Sequence, residues 1–349
     1  MKRVDHTYQT LYSELAQRAL DAEFSSEFSV EGRFVSQQSG ARRYWYFDEA
    51  KSGGGKRRRY VGPVNDPEIT KRVETFKDLK ADYRARRKLV STLVREAYLP
   101  RPESFAGDVV QALAAAGFFR LRGVLIGTVA YQAYGALLGL RLPETAMQTG
   151  DADFAQFHSI SVAVEDEMGS VLETLRGVDP TFREVPHPTY IRRTATYASR
   201  SGFRVEFLTP NTGSADRDGV PWPMPALGGA SAQPISFLDF LLYEPVRAVV
   251  LHGAGVPVVV PAPERYAVHK LIVGSRHRND RDGTAKSGKD RRQAQALMEA
   301  LIDLRRTADL ADAYMEAFNR GPAWREAMKE GLFSFDPASR ERLQRALDV

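Results

Sequence analysis

Two aspartates, Asp151 and Asp153, stand one residue apart in the stretch Gly150-Asp151-Ala152-Asp153-Phe154-Ala155. In an extended backbone, residues two apart project from one face, so both carboxylates reach a single cation. Without a counter-ion the pair is costly, because like charges a few ångströms apart disfavour joint ionisation. A divalent metal reverses that cost and takes both carboxylates as hard oxygen ligands. A third acid, Glu206, lies in Phe203-Arg204-Val205-Glu206-Phe207-Leu208, whose alternation places it on the face opposite the aromatic residues. The three acids together would hold two Mg²⁺ ions, one acidifying an attacking hydroxyl and one bridging the phosphates of a nucleotide. An Asp-x-Asp pair alone is more often a turn or a helix cap, so the elements around it decide.

Upstream, Phe118–Ile126 reads as a strand, Gly127-Thr128 as a small turn and Val129–Leu138 as the helix after it. Strand, small turn and helix form a phosphate-cradling topology: Gly127 permits close backbone approach, and Thr128 adds a hydroxyl at a positive helix N-terminus. A short helix over Phe105–Ala116 precedes this unit. Downstream, Phe182–Val185, Thr194–Ser199 and Phe203–Leu208 are strand-like, while Asn211–Ala232, rich in Gly, Pro, Ser and Asp, predicts a long loop or lid. Two further strands, Val246–Leu251 and Val256–Val260, lead to a helix that opens at Pro263-Glu264 and carries Lys270. Arg276, Arg278 and Arg281 precede a mobile Gly283–Gly288 stretch, with a phosphate role on ordering. Asp290 fits an N-cap as well as a site member; from there the spacing predicts helices to Val349, broken at Gly321-Pro322.

At the other end, Leu11, Leu15 and Ala19 recur at helical spacing within Tyr8–Phe24. Three β-like runs follow, Gly32–Ser36, Arg43–Phe47 and Arg58–Gly62, the last two joined through Ser52-Gly53-Gly54-Gly55 as a hairpin. Its Lys56-Arg57-Arg58-Arg59 cluster beside Tyr44, Trp45, Tyr46 and Tyr60 reads first as charge protection of an edge and second as a grip on nucleic acid. Asn65-Asp66-Pro67-Glu68 then opens a long charged helix that reaches about Tyr98 and stops before Pro100 and Pro102. Its Arg84, Arg86, Arg87 and Lys88 form a solvated face.

Composition narrows the classes. Of 349 residues, 43% are apolar and 27% charged, as in a folded globular chain and unlike a disordered or fibrous one. There is no cysteine, which excludes disulfides, thiolate zinc sites and a thiol nucleophile, and the six histidines lack metalloprotease spacing. Net charge is +5, enough to attract phosphates but short of a dedicated nucleic-acid scaffold. With no apolar leader core and no uncharged run near the ~18 residues that a membrane span needs, a cytoplasmic location without membrane contact is expected. No pattern sets an oligomeric state.

The order strand, Gly-Thr, helix, Asp-x-Asp and strand-borne acid resembles the nucleotidyltransferase-fold superfamily, the DNA-polymerase-beta-like enzymes. Pro263-Glu264-Arg265-Tyr266 through His269-Lys270-Leu271, then Arg276 and Lys289-Asp290, is similar to the helical tail of its bacterial branch that includes abortive-infection-type toxins. The hairpin with Tyr44-Trp45-Tyr46 and Tyr60-Val61-Gly62-Pro63 looks like the N-terminal part of uncharacterised bacterial members. The resemblance implies an α+β fold: a mixed sheet with flanking helices (103–262), an N-terminal helix, hairpin and long-helix module (1–102) and a C-terminal helical domain (263–349). It further implies Asp151, Asp153 and Glu206 as catalytic and metal-binding acids for two Mg²⁺ ions, and Gly127, Thr128, Lys270 and Arg276 as nucleotide-binding residues. The expected reaction moves an NMP from an NTP to a hydroxyl acceptor, with RNA, tRNA included, favoured by the basic tail and hairpin. The alternative is a non-catalytic nucleotide- or nucleic-acid-binding protein that keeps the fold. Three departures from the superfamily pattern stand out: Thr128 for Ser, Glu206 for the commoner Asp, and a longer gap from Gly127 to Asp151 that must loop out over Gly139–Thr149.

Overall fold

The computed structural model describes every residue except 22–31, 40–41, 51–55, 144–148, 165, 212–218, 276–280 and 349. At the N-terminus, β1 (Lys2–Arg3) leads into α1 (His6–Asp21), which buries Tyr12, Leu15 and Ala19 along one stripe. Three antiparallel strands follow, β2 (Arg33–Ser39), β3 (Arg42–Ala50) and β4 (Lys56–Pro63), in spatial order β2-β3-β4. The long α2 (Pro67–Arg95) begins with proline after Asp66, whose Oδ1 accepts from the Ile69 N–H at 3.2 Å, and so satisfies a donor the first helical turn leaves over. One satellite core joins α1 to the end of α2 through Leu15, Val90, Leu93 and Ala97.

The body of the molecule is a seven-stranded mixed sheet. After α3 (Ser104–Ala115) come β5 (Val124–Ile126), α4 (Gly127–Leu138), β6 (Leu140–Arg141), β7 (Asp151–Ala155), α5 (His158–Ala163), α6 (Val171–Val178), β8 (Arg183–Val185), β9 (Thr196–Ala198) and β10 (Arg204–Pro210). Then follow β11 (Trp222–Pro223), β12 (Ser231–Ile235), α7 (Leu238–Leu241) and the hairpin β13 (Val246–Val250) and β14 (Val256–Val260). The sheet runs β11-β12-β10-β7-β5, with β8 and β9 beside the start of β10. β10 lies parallel to β7 along Arg204–Leu208; its other edge is shared, taking β9 antiparallel at Arg204–Glu206 and β12 parallel at Leu208–Pro210.

Four C-terminal helices cover the body after α8 (Pro263–Gly274): α9 (Arg281–Asp303), α10 (Thr307–Asn319), α11 (Pro322–Phe333) and α12 (Pro337–Leu347). One contiguous core extends from Ala106 to Leu347, with Tyr266, Ala267, Val268, Leu271 and Ile272 of α8 fully enclosed. The fold is therefore α+β, a mixed sheet with flanking helices and a helical C-terminal part. Among the described residues, no helix is long and apolar enough to cross a membrane.

Five expectations change, the first being Arg86, which is buried instead of solvated because its guanidinium donates to the Asp82 carboxylate and the Ala254 carbonyl. The strand before Gly127 is short: Phe118–Leu121 coils through a turn instead, because Gly117 (φ +93°) and Arg122 (φ +61°) both sit in the left-handed region and the Gly123 N–H closes onto the Phe118 carbonyl at 2.9 Å. The turn swings the Phe118 ring inward against Phe119, Phe154 and Phe207. The predicted loop over Asn211–Ala232 contains β11 and the start of β12, which pair with each other antiparallel, while the rest of β12 pairs with β10, a partner its composition does not reveal. Gly283–Gly288 lies inside α9 instead of a mobile stretch. In the long gap, Leu140–Arg141 form β6 against β1, and 144–148 fall outside the described residues.

Candidate active site

Asp151 and Asp153 lie on β7, two residues apart on one face, beside β10. In the parallel register Glu206 is directly across from Asp153, and Arg204 directly across from Asp151. All four side chains therefore share the face turned away from Phe154, Val205 and Phe207, which are buried. Hydrophobic alternation along both strands is thus what presents the acids: packing the aromatic face commits the other face to charge.

The electrostatics follow from this crowding. Burial, reinforced by the negative charges of Asp151 and Glu206, pushes the Asp153 carboxyl up to about 7, while Lys270 and Lys286 draw it back down. Arg204 offers partial relief, its Nη1 standing 4.0 Å from Glu206 Oε1. The Thr149 hydroxyl donates to Asp151 Oδ1. Gly127 touches the same acid from β5's end of the sheet: a Cβ there would lie 2.2 Å from Asp153 Oδ2, and its φ of +67° is one that L side chains rarely adopt. Glycine is required at this position both by its backbone angle and by the carboxylate against it. Thr128, the next residue, is buried in the first turn of α4.

Helices α8 and α9 bring the positive charge. Lys270 Nζ pairs with Asp290 Oδ1 at 2.6 Å, with both side chains largely buried, and lies 5.5 Å from the Tyr266 ring centroid. The Tyr266 hydroxyl donates to the Gly127 carbonyl at 2.8 Å and meets the Gln293 side-chain amide at 2.9 Å, so it ties α8 and α9 to the turn that holds Asp153. Lys289 faces the same cluster: burial lowers its pKa, the Asp151, Asp290 and Asp153 charges act to raise it, and Lys270 acts to lower it. Beside Lys270, His269 is buried with neither ring nitrogen hydrogen-bonded among the described residues, and burial aided by the Lys270 charge depresses it to about 3. A cleft of about 1070 Å³ is lined by Thr149 and Gly150, by Val129 and Gln132 of α4, and by Arg101 and Arg141; Asp151, Asp153, Glu206 and Lys270 do not line it.

The structure thus gathers Asp151, Asp153, Glu206, Gly127 and Lys270 from four elements into one locality. Arg276 lies outside the described residues. Asp290 is no N-cap: it sits well inside α9, because that helix starts at Arg281, and it serves as the counter-ion of Lys270. Sequence reasoning did not single out Arg204 or Lys286, and named Lys289 only as part of a motif. The signal for Arg204 was its place two residues before Glu206 on the same strand face. Lys286 and Lys289 are three apart, the spacing of one helix face, but this becomes visible only once α9 is known to begin before them.

The donor set suits a divalent cation in kind: three carboxylates, hard oxygen ligands, with one of them held against ionisation by its neighbours. Among the described residues, no three His, Asp or Glu side chains are already gathered as a metal cage, so a cation would have to draw these acids together.

Residues 104–319 match the model of a family described as Nucleotidyltransferase. Among solved structures, the chain is similar to an antigenic nucleotidyltransferase-like protein from Paracoccidioides brasiliensis, at 13% identity and a TM-score of 0.35, over 71% of this chain and 95% of that one. No curated protein matches. With the family model covering well over half of its length, including β5, β7, β10 and α8, the chain belongs to this nucleotidyltransferase family.

Proposed function

We propose that the protein transfers an NMP from an NTP to a hydroxyl acceptor in a Mg²⁺-dependent reaction that releases pyrophosphate. The observation that carries this reading is the register pairing of Asp153 with Glu206, two acids forced side by side on adjacent parallel strands with Asp151 on the same face. Asp151, Asp153 and Glu206 would hold the metal. Two Mg²⁺ ions, when bound, would supply the positive charge that acidifies the attacking hydroxyl and offsets the phosphate charge.

The chain's own residues do the rest. The acceptor oxygen attacks the α-phosphorus, its proton passes to Glu206, and the bond from the α-phosphorus to the bridging oxygen breaks as pyrophosphate leaves. Lys270, with Lys289 and Lys286 on the next helix, places cationic charge for the departing pyrophosphate, and Thr128 and the α4 N-terminus add donors at the phosphate turn. Asp290 orients Lys270 through their 2.6 Å pair. Positioning and preorganised charge account for most of the rate in this kind of chemistry. The basic surfaces favour RNA, tRNA included, as the acceptor.

Incubating the protein with each NTP labelled at its α-phosphate, Mg²⁺ and total RNA tests the reading: label should appear in an acceptor, and Asp151→Ala should remove it. Label transfer by the purified Asp151→Ala protein would refute the assignment. The rival, a binding protein that keeps the fold, is separated by calorimetry of NTP with and without a chelator: NTP affinity that survives chelation, with no transfer, favours the rival.

A further inference from the structure

The N-terminal sheet has two unlike faces. On the inner one, Phe34 and Phe47 pack edge-on against Phe76 of α2, at centroid distances of 5.0 and 5.7 Å, and the Trp45 Nε1–H donates to Thr70 Oγ1 at 3.3 Å. On the outer one, Tyr44 and Tyr46 flank Tyr60, with centroids 5.9 and 5.8 Å away, and Tyr60 is 60% exposed. Tyr44 and Tyr46 are half-buried and Tyr60 is exposed, so the row is only partly covered and keeps ring surface open for stacking.

Charge surrounds these rings. Arg58 holds the buried Asp48 carboxylate through Nε at 2.6 Å and Nη2 at 2.8 Å, and its guanidinium lies 5.7 Å from the Tyr46 centroid. Across β3, Arg33 reaches the same Asp48 at 4.0 Å with its side chain 62% exposed, so one carboxylate anchors two guanidiniums at the end of the tyrosine row. Arg42 and Arg43 are exposed at the opposite end of β3. Cations at both ends and stacking planes between them match a chain that alternates phosphates with flat bases. A duplex hides the faces of its bases, whereas an unpaired strand offers them.

We infer that this face binds single-stranded RNA, with bases stacked on Tyr44, Tyr46 and Tyr60 and phosphates at the flanking arginines. The inference deepens the reading above, which names a hydroxyl acceptor without saying what holds it, and RNA is the strand that carries a hydroxyl on every nucleotide. The full chain is titrated, without NTP, against a fluorescein-labelled oligouridylate, the matching deoxy strand and an RNA duplex, with fluorescence anisotropy as readout. Saturable binding to the oligouridylate that weakens steeply with salt is expected. Tyr60→Ala should raise Kd about 5- to 150-fold, the loss of one stacked base, whereas Tyr60→Phe, which keeps the ring, should stay within about twofold. Tyr44→Ala repeats the test should Tyr60→Ala not fold. No binding, binding that ignores salt and both tyrosines, or tighter binding of the deoxy strand or the duplex would overturn the inference. Label transfer from NTP that persists in such a case would sink this surface and leave the reaction standing.

Discussion

The two charged regions of this molecule solve opposite problems. On the β7–β10 face, acids and lysines are drawn in from four elements and interlocked: Asp153 against Gly127, Lys270 against Asp290, Tyr266 against the Gly127 carbonyl. On the outer face of the N-terminal sheet Tyr60, Arg33 and Arg58 stand in water, Tyr44 and Tyr46 are half-buried, and the Asp48 carboxylate is buried beneath the guanidiniums. The first arrangement suits chemistry, which needs groups held within fractions of an ångström of one geometry. The second suits capture, which needs area, stacking planes and long-range attraction but little precision. The contrast implies that single substitutions should be severe in the first region and nearly silent for folding in the second.

The largest effect on stability is expected at Asp290. Asp290→Ala deprives the buried Lys270 ammonium of its carboxylate, and removing one partner of such a pair costs about 3–5 kcal/mol; chemical denaturation should show it as a lower midpoint. A midpoint within error of the unaltered chain would mean that the pair is solvated and the interlocking overstated. Gly127→Ala comes next. The new methyl group meets Asp153 Oδ2 and the backbone must leave or strain its positive φ, a cost of about 1–3 kcal/mol, together with displacement of Asp153 and loss of transfer.

His269 supplies a pH test of how closed the interlocked region is. Its folded pKa is about 3 against 6.5 in an unfolded chain, so between those values the unfolded state takes up the proton first. His269 alone should therefore lower stability as pH drops below 6.5 and on toward 3, by up to about 1.4 kcal/mol per pH unit, against an opposing contribution from Asp153, whose raised carboxyl takes up its proton first in the folded state. His269→Leu should remove the histidine's share, so that stability falls less, or rises, on acidification from pH 6.5; a pH dependence identical to that of the unaltered chain would place the ring in contact with water. The smallest effect belongs to the other region: Tyr60→Ala, at an exposed position, should alter stability by no more than about 0.5 kcal/mol. A large loss there would make the tyrosine row structural and blur the comparison.

How far each region was legible in the sequence follows from how local its determinants are. Alternation in Phe203–Leu208 and the two-residue spacing of Asp151 and Asp153 are local properties, and they correctly put Glu206 opposite the aromatic residues and the two aspartates on one shared face. The helix that carries Lys270 announced itself through Pro263 and Glu264 at its start. Non-local features stayed hidden. No pattern within Asn211–Ala232 shows that β12 gains its hydrogen bonds from β10, and no pattern around Gly283–Gly288 shows that α9 is stabilised there by packing on α8. That error carried others with it: an α9 starting late made Asp290 look like a cap and hid Lys286 on the turn before it. Phe118 misled in a different way, since an apolar run reads equally as a strand or as a buried turn until Arg122 is seen at positive φ.

The central claim is that the acids paired across β7 and β10 exist for catalysis at a cost to the fold. Asp153→Asn tests it most directly when one preparation is assayed both for transfer of label from an α-labelled NTP and for its melting temperature. Removing one of three mutually repelling acids should drop transfer by about 10²–10³-fold or more, while the melting temperature holds or rises because a buried charge conflict is gone. Transfer at the unaltered rate, or a fold that loosens when this carboxylate is neutralised, would contradict the account.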